Sequence, residues 1–260
     1  MFRKLRIAIL LFILATVAVG SWKSSARSSA WDSTLHVTVY PITADPSDTS
    51  RRIVGELKPE DFAVIGDWLE EELQRHGHSL LRPLAINLAP PLTSQPPPFP
   101  AGGNALAMMG WSLQLRFWAW RHDAAPGPRP DVRLFLLYHD PMLTPALDHS
   151  VGLEKGKLGV VKVFASRSER QRNAVIIAHE LLHTLGATDK YDLHSLAPRF
   201  PDGYAEPQRQ PLYPQPTAEI MAGRIPLADD RARIPDSLAQ TLIGPLTASE
   251  IGLLTIDTRH

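Results

Sequence analysis

The chain has no cysteine among its 260 residues. That absence excludes disulfides, thiolate metal ligands, a cysteine nucleophile and latency imposed by a cysteine-tipped propeptide. It also lacks net charge, since 27 basic residues are balanced by 27 acidic ones. A dedicated nucleic-acid binder needs a basic surface that displaces counterions from phosphates, so no nucleic acid is expected as a partner. Neither a glycine-rich phosphate loop nor a Gly-x-Ser-x-Gly elbow occurs, and nucleotide binding and serine hydrolysis therefore have no support. No internal repeat is visible. What the chain does have is apolar content, 44% of its residues, enough to fill the core of one large domain.

The N-terminus combines a basic flank, Arg3-Lys4-Arg6, with the apolar run Ile7 to Val19, in which Thr16 is the one polar side chain. Residues 1–20 read as a signal peptide or an N-terminal membrane anchor. The apolar stretch from Leu5 to Gly20 is shorter than the roughly 20 residues a spanning helix prefers, and Ala18-Val19-Gly20 offers a small-x-small cleavage site. Cleavage leaves a periplasmic or secreted protein. Retention leaves a membrane contact through residues 5–20, with the remaining chain outside the cytoplasm of a bacterial-type cell. Residues 21–33, rich in serine, read as a polar tether.

Leu35 to Tyr40 alternates at period two and predicts a strand ended by Pro41, with Pro46 to Arg52 as loop. Beyond Pro59, the residues Phe62, Ile65, Leu69 and Leu73 mark an amphipathic helix stopped at Gly77. His76 and His78 at its end read as solvated. Leu80 to Leu88 suggests a second strand interrupted by Pro83. Pro90 to Gly103 carries six prolines in fourteen residues and reads as a surface loop. Asn104 to Trp120 suits a helix over its first half and either helix or strand after that. Its aromatics Trp111, Phe117, Trp118 and Trp120 are assigned to the core. Val132 to Tyr138 is a strong strand, and 151–164 a hairpin turning through Lys155-Gly156. Ser168 can cap a helix whose buried stripe is Ala174, Ile177, Ala178, Leu181 and Leu185. A proline-rich span follows Asp192, and Thr247-Ala248-Ser249-Glu250 looks like a capping box opening a short helix. This order implies one α/β domain with a mixed sheet.

The chemistry concentrates in HELLHTLGATDKYD, His179 to Asp192. His179 and His183, four apart on a helix, leave the same face one turn apart and can share one metal ion. Glu180 lies on the flank, where a carboxylate serves water rather than the ion. Zinc with three protein ligands keeps one position open for that water. Gly186 can end the helix at positive φ and reverse the chain, which returns Asp189 toward the histidines. Asp192 one turn further on, His194, Glu206 and Glu219 are rival third ligands. Tyr213 is a candidate oxyanion donor, against the commoner role of packing.

The stretch resembles the metzincin zinc-peptidase motif HExxHxxGxxH, with Asp189 in the place of the third histidine, as in snapalysin-type peptidases. Its continuation through Asp189-Lys190-Tyr191-Asp192 is similar to that of immune-inhibitor-A-type peptidases. Ala187-Thr188 departs from the usual Leu-Pro. The resemblance implies an α/β (α+β), zincin-like twisted mixed sheet with an antiparallel edge strand near Ser150 to Leu153 that pairs with substrate, and an active-site helix. It implies a domain over residues 34–260, divided into an N-terminal subdomain (34–186) and a C-terminal subdomain (187–260) with a short closing helix. It further implies a methionine turn at Met221 under the metal, one Zn2+, and a protein or peptide substrate. The activity so implied is zinc-dependent peptide hydrolysis. The alternative is an exported, zinc-binding, peptidase-like protein that holds a partner segment at its sheet edge without turnover.

Overall fold

The structure, a computed structural model, describes residues 31–254 apart from 101, 103, 124–128, 148, 149 and 154–156. The apolar N-terminal segment, most of the serine-rich tether and the Lys155-Gly156 turn lie outside the described residues. Among the described residues, no helix is long and apolar enough to cross a membrane.

A five-stranded mixed sheet organises the chain. Its strands are β1 (Leu35–Thr43), β2 (Leu84–Leu88), β3 (Val132–His139), β4 (Val151–Leu153) and β5 (Leu158–Phe164), in the order β2-β1-β3-β5-β4. Four strands are parallel, and β4 runs antiparallel to β5 at one edge. Such a sheet needs cover on both faces. Alternation along the strands supplies two cores. Val37, Val39, Leu134, Leu136, Val161 and Val163 point to one side, where they meet α2 (Ala63–Arg75) and α4 (Arg170–Leu185). Tyr40, Ile42, Phe135, Leu137 and Leu158 point to the other, where Ala119 of α3 (Ala105–Arg121) packs.

Several local expectations are corrected. β1 does not end at Pro41 but runs on to Thr43. The Pro41 carbonyl faces the β2 side, where it accepts from Leu92 N–H, so the missing proline N–H also points to the side where β2 has already ended. The segment read as loop holds a helix, α1 (Asp48–Glu56), whose N-cap Ser47 accepts from Ser50 N–H. The second strand starts at Leu84, after Pro83. α3 is helical throughout, capped by Asn104. Of its four aromatics only Trp111 is buried. Trp118 is half-buried, and Phe117 and Trp120 are exposed. Ser168 bonds Ser166 instead of capping α4, which starts after Glu169. His76 and His78 are not solvated, since each contacts a carbonyl, Ile243 and Leu253 respectively.

After α4 the chain is irregular until two small sheets, β6 (Ala218–Glu219) with β9 (Thr241–Leu242) and β7 (Ile225–Ala228) with β8 (Arg231–Arg233). The last helix, α5 (Pro245–Glu250), starts two residues before Thr247. No capping box forms there, because the Thr247 hydroxyl donates to Glu219 while Glu250 turns to Lys190 and Thr188. Ile220, Met221, Leu238, Ile243, Ala248 and Ile251 join the first core. Residues before and after Gly186 therefore share one hydrophobic interior.

Candidate metal centre

α4 packs on β5 and β4 and buries Ala174, Ile177, Ala178, Leu181, Leu182 and Leu185, leaving His179 and His183 on an adjoining face. Gly186 ends the helix at φ 111°, and Ala187 N–H closes the turn on the Leu182 carbonyl at 3.0 Å. A side chain would strain that left-handed cap. The chain reverses there as expected and brings Asp189 back over the histidines.

The two imidazoles are oriented by backbone. His179 Nδ1–H donates to the Ile220 carbonyl at 2.9 Å, and His183 Nδ1–H to the Ala187 carbonyl at 2.8 Å. A carbonyl only accepts, so both neutral rings carry their proton on Nδ1 and present an Nε2 lone pair. The Nε2 atoms stand 3.0 Å apart, and Asp189 Oδ1 lies 3.3 Å from one and 3.2 Å from the other. Asp189 Oδ1 is buried and receives no hydrogen bond of ordinary geometry. With both rings neutral, three acceptor atoms point at one another, an arrangement that could hold a cation. A proton bridges one pair at a time, whereas a divalent ion satisfies all three. Metal–ligand bonds of about 2.0–2.1 Å in a tetrahedron place ligand atoms about 3.3–3.4 Å apart, close to the spacing found.

Glu180 also brings a carboxylate oxygen within 4.8 Å of both histidine ligand atoms. The two acids differ in distance: Asp189 Oδ1 lies 3.2–3.3 Å from the two Nε2 atoms, and the Glu180 oxygen within 4.8 Å of the histidine ligand atoms. Glu180 is buried. It faces the sheet edge, where a Cβ added at Gly152 would come within 3.4 Å of its Oε2 and 2.6 Å of His183 Cβ. The acids and the imidazoles stabilise each other's charged forms. Burial opposes charge on His179, yet Asp189, Glu180 and the Ile220 carbonyl together carry its pKa up to about 8. Burial likewise opposes charge on Asp189, but the two imidazoles hold its carboxyl well below the usual carboxylate range.

The remaining expected residues sort clearly. Met221 is fully buried in the turn Ile220–Ala222, whose first carbonyl holds His179. Asp192 is engaged elsewhere: its Oδ1 caps a turn by accepting from His194 N–H, Ser195 N–H and the Ser195 hydroxyl. Glu219 is also engaged elsewhere. It accepts from Ala222 N–H, Gly244 N–H and Thr247 O–H, and burial pushes its carboxyl up. Glu206 pairs with Arg209, His194 is exposed, and Tyr213 bonds Tyr204 at 2.7 Å.

Sequence reasoning passed over the parts that hold Asp189 in place. Arg199 clamps the Asp189 carbonyl at 2.6 Å. Buried Lys190 donates to Thr188 and to Glu250, and Thr188 N–H and O–H donate to that same carboxylate. The threonine that departs from Leu-Pro thus ties the loop to α5. Tyr191 lies beside Asp189 and Glu180. Burial first and then those two carboxylates push its phenol up to about 12, so it stays a neutral donor. Its place in the motif was the available signal. Thr188, Asp189, Tyr191, Asp192 and Arg199 line an open recess of about 420 Å³. A second recess of about 400 Å³, near the start of α4, shares no lining residue with it.

No family model and no curated protein matches the chain. Among solved structures it is similar to wild-type OgpA from Akkermansia muciniphila, at 13% identity and a TM-score of 0.36 over 86% of this chain. The chain spans 62% of that protein's length. Likeness at this level decides neither fold family nor chemistry.

Proposed function

We propose that the protein is a zinc-dependent peptidase of metzincin type, exported by or tethered through residues 1–20. One observation carries this reading: the convergence of His179 Nε2, His183 Nε2 and Asp189 Oδ1 within 3.0–3.3 Å, with both Nδ1 atoms already engaged. These three residues would hold the ion. Two nitrogens and one carboxylate oxygen are a donor set that suits zinc. When bound, zinc supplies a Lewis acid that acidifies water and polarises a carbonyl.

The protein's own groups do the rest. Glu180, buried beside the histidines, accepts a proton from water and returns it to the departing amine. Tyr191 keeps its proton and offers an O–H next to Asp189. Ile220 and Met221 form the floor that fixes the His179 ring. The outer edge of β4, with Gly152 against Glu180, provides backbone groups along which an extended peptide can align. A non-catalytic, partner-holding protein has no use for a carboxylate at the position of Glu180, and this favours turnover.

The experiment compares wild type with Glu180→Gln in metal analysis and in a broad peptide-library digest. Both proteins should bind about one zinc per chain, and only wild type should cleave. Absence of zinc from wild type removes the metal reading, and cleavage by Glu180→Gln removes the assigned base.

A further inference from the structure

The outer face of α3 is apolar and uncovered. Leu106, Met109, Leu113, Phe117 and Trp120 are each between 59% and 74% exposed. Their spacing of three, four, four and three residues puts them on one stripe about 21 Å long. The opposite stripe, Trp111, Leu115 and Ala119, is the one that packs on the protein. Core packing therefore leaves the exposed stripe unexplained, and a patch of this kind marks an interaction site.

We propose that this face of α3 lies on an anionic lipid bilayer. Three features favour a bilayer over other occupants. First, the helix contains Arg116 and Arg121 and no acidic residue. Asp123, just beyond it, is taken up by Arg133 and Tyr40. Arg116 is half-buried and engaged within the fold, so exposed Arg121 is the cation this face offers to acidic headgroups. Second, the five side chains offer roughly 600–700 Å² of surface, short of the approximately 800 Å² per partner of a stable dimer. Third, the stripe's aromatic end lies at the end of the sheet where β1 and β3 begin. Asp123 pairs with Arg133 at the start of β3, and Asp131 brackets His36 at the start of β1 by two backbone contacts. Residues 21–30, at most roughly 35 Å when extended, join the apolar run 7–19 to Trp31, which is anchored on Ile251 a few residues before β1. The same membrane can thus receive both the run and the stripe. Trp120 and Arg121 at the stripe's aromatic end suit the headgroup boundary, where aromatic rings and arginine settle. The proposal is independent of the metal centre, which faces the other side of the sheet through α4.

The absence of cysteine allows a direct test. A polarity-sensitive fluorophore is attached to the full chain at Phe117→Cys or, as a control on exposed Gln74 of α2, at Gln74→Cys. Both positions are on the surface, so folding is preserved. On phosphatidylcholine–phosphatidylglycerol vesicles the label at 117 should shift to the blue. Brominated acyl chains should quench it about threefold more strongly than the label at 74. A label at 117 that remains in water while the chain is vesicle-bound overturns the proposal. Shielding at 117 without lipid also overturns it. A rise with protein concentration assigns the stripe to a second copy, and concentration-independent shielding assigns it to residues 7–19.

Discussion

Replacing Gly152 by alanine tests how closely the sheet edge is fitted to the candidate catalytic helix. The added Cβ would stand 2.6 Å from His183 Cβ and 3.0 Å from the Glu180 carbonyl. Carbon atoms pack at roughly 3.5–4.0 Å, so either β4 or α4 must retreat by about 1 Å. Gly152 lies outside the left-handed region, so the effect is steric and not conformational. α4 is wedged between the sheet and Ile220-Met221, whereas β4 is held by three residue pairs with β5. The strand is therefore the part that moves. Forcing a methyl group into a filled contact costs about 1–3 kcal/mol. A displacement near 1 Å at a substrate-aligning edge lowers kcat/KM by about 100-fold. Denaturant unfolding gives the first quantity, and hydrolysis of a peptide identified by the library digest gives the second. Zinc affinity, from chelator competition, should fall much less, because His183 is also held by the Ala187 carbonyl. If Gly152→Ala matches wild type in both stability and kcat/KM, the strand does not pack on the helix and the substrate-edge reading fails with it.

Asp189→Ala should weaken zinc binding by more than about 100-fold, while Asp192→Ala, which loses only a turn cap, leaves it within a few-fold. The reverse order in chelator competition would reassign the ligand. Glu219→Ala leaves Ala222 N–H, Gly244 N–H and Thr247 O–H buried without their acceptor. The expected loss is about 3–5 kcal/mol in urea unfolding, and a loss under about 1 kcal/mol would contradict the role given to this carboxylate. Acid stability should depend on Glu250. Burial raises its carboxyl, but Lys190 and Thr188 outweigh that and lower it from its usual 4.5. The stabilisation from this pair is complete above the unfolded value and drains away as pH falls through the lowered one. Melting temperature in Glu250→Gln should accordingly fall less steeply than wild type between roughly pH 5 and 3, and parallel curves would refute the assignment.

Local features were legible wherever neighbours in sequence do the work. The period of Ala174, Ile177, Ala178, Leu181 and Leu185 is a property of one helix, and a helix four residues long enough to align His179 with His183 needs nothing else. Gly186 at positive φ is likewise a demand of the turn itself. Even so, local signals compete. Ser168 and Thr247 both look like caps, yet Ser168 bonds Ser166 two residues away, and Thr247 bonds buried Glu219, a partner distant in sequence. Ser47, placed in a stretch read as loop, caps α1.

By itself the sequence determined the pair of histidines, their flanking glutamate, the helix end and the set of carboxylates that could complete the site. Tertiary structure alone brings one of those carboxylates, Asp189, against the imidazoles. Asp189 reaches the imidazoles because Arg199, Lys190, Thr188 and Glu250 hold its loop, while Asp192 and Glu219 are drawn into hydrogen bonds elsewhere. It also decided which stripe of α3 is core. Both faces of that helix are apolar, so periodicity cannot choose between them, and the choice fell to whichever face met Tyr40 and Phe135 across the sheet. Spacing along the chain records what a residue can do within one or two turns. Which polar groups are satisfied and which apolar faces are covered depends on contacts between segments far apart, and only the folded chain brings those together.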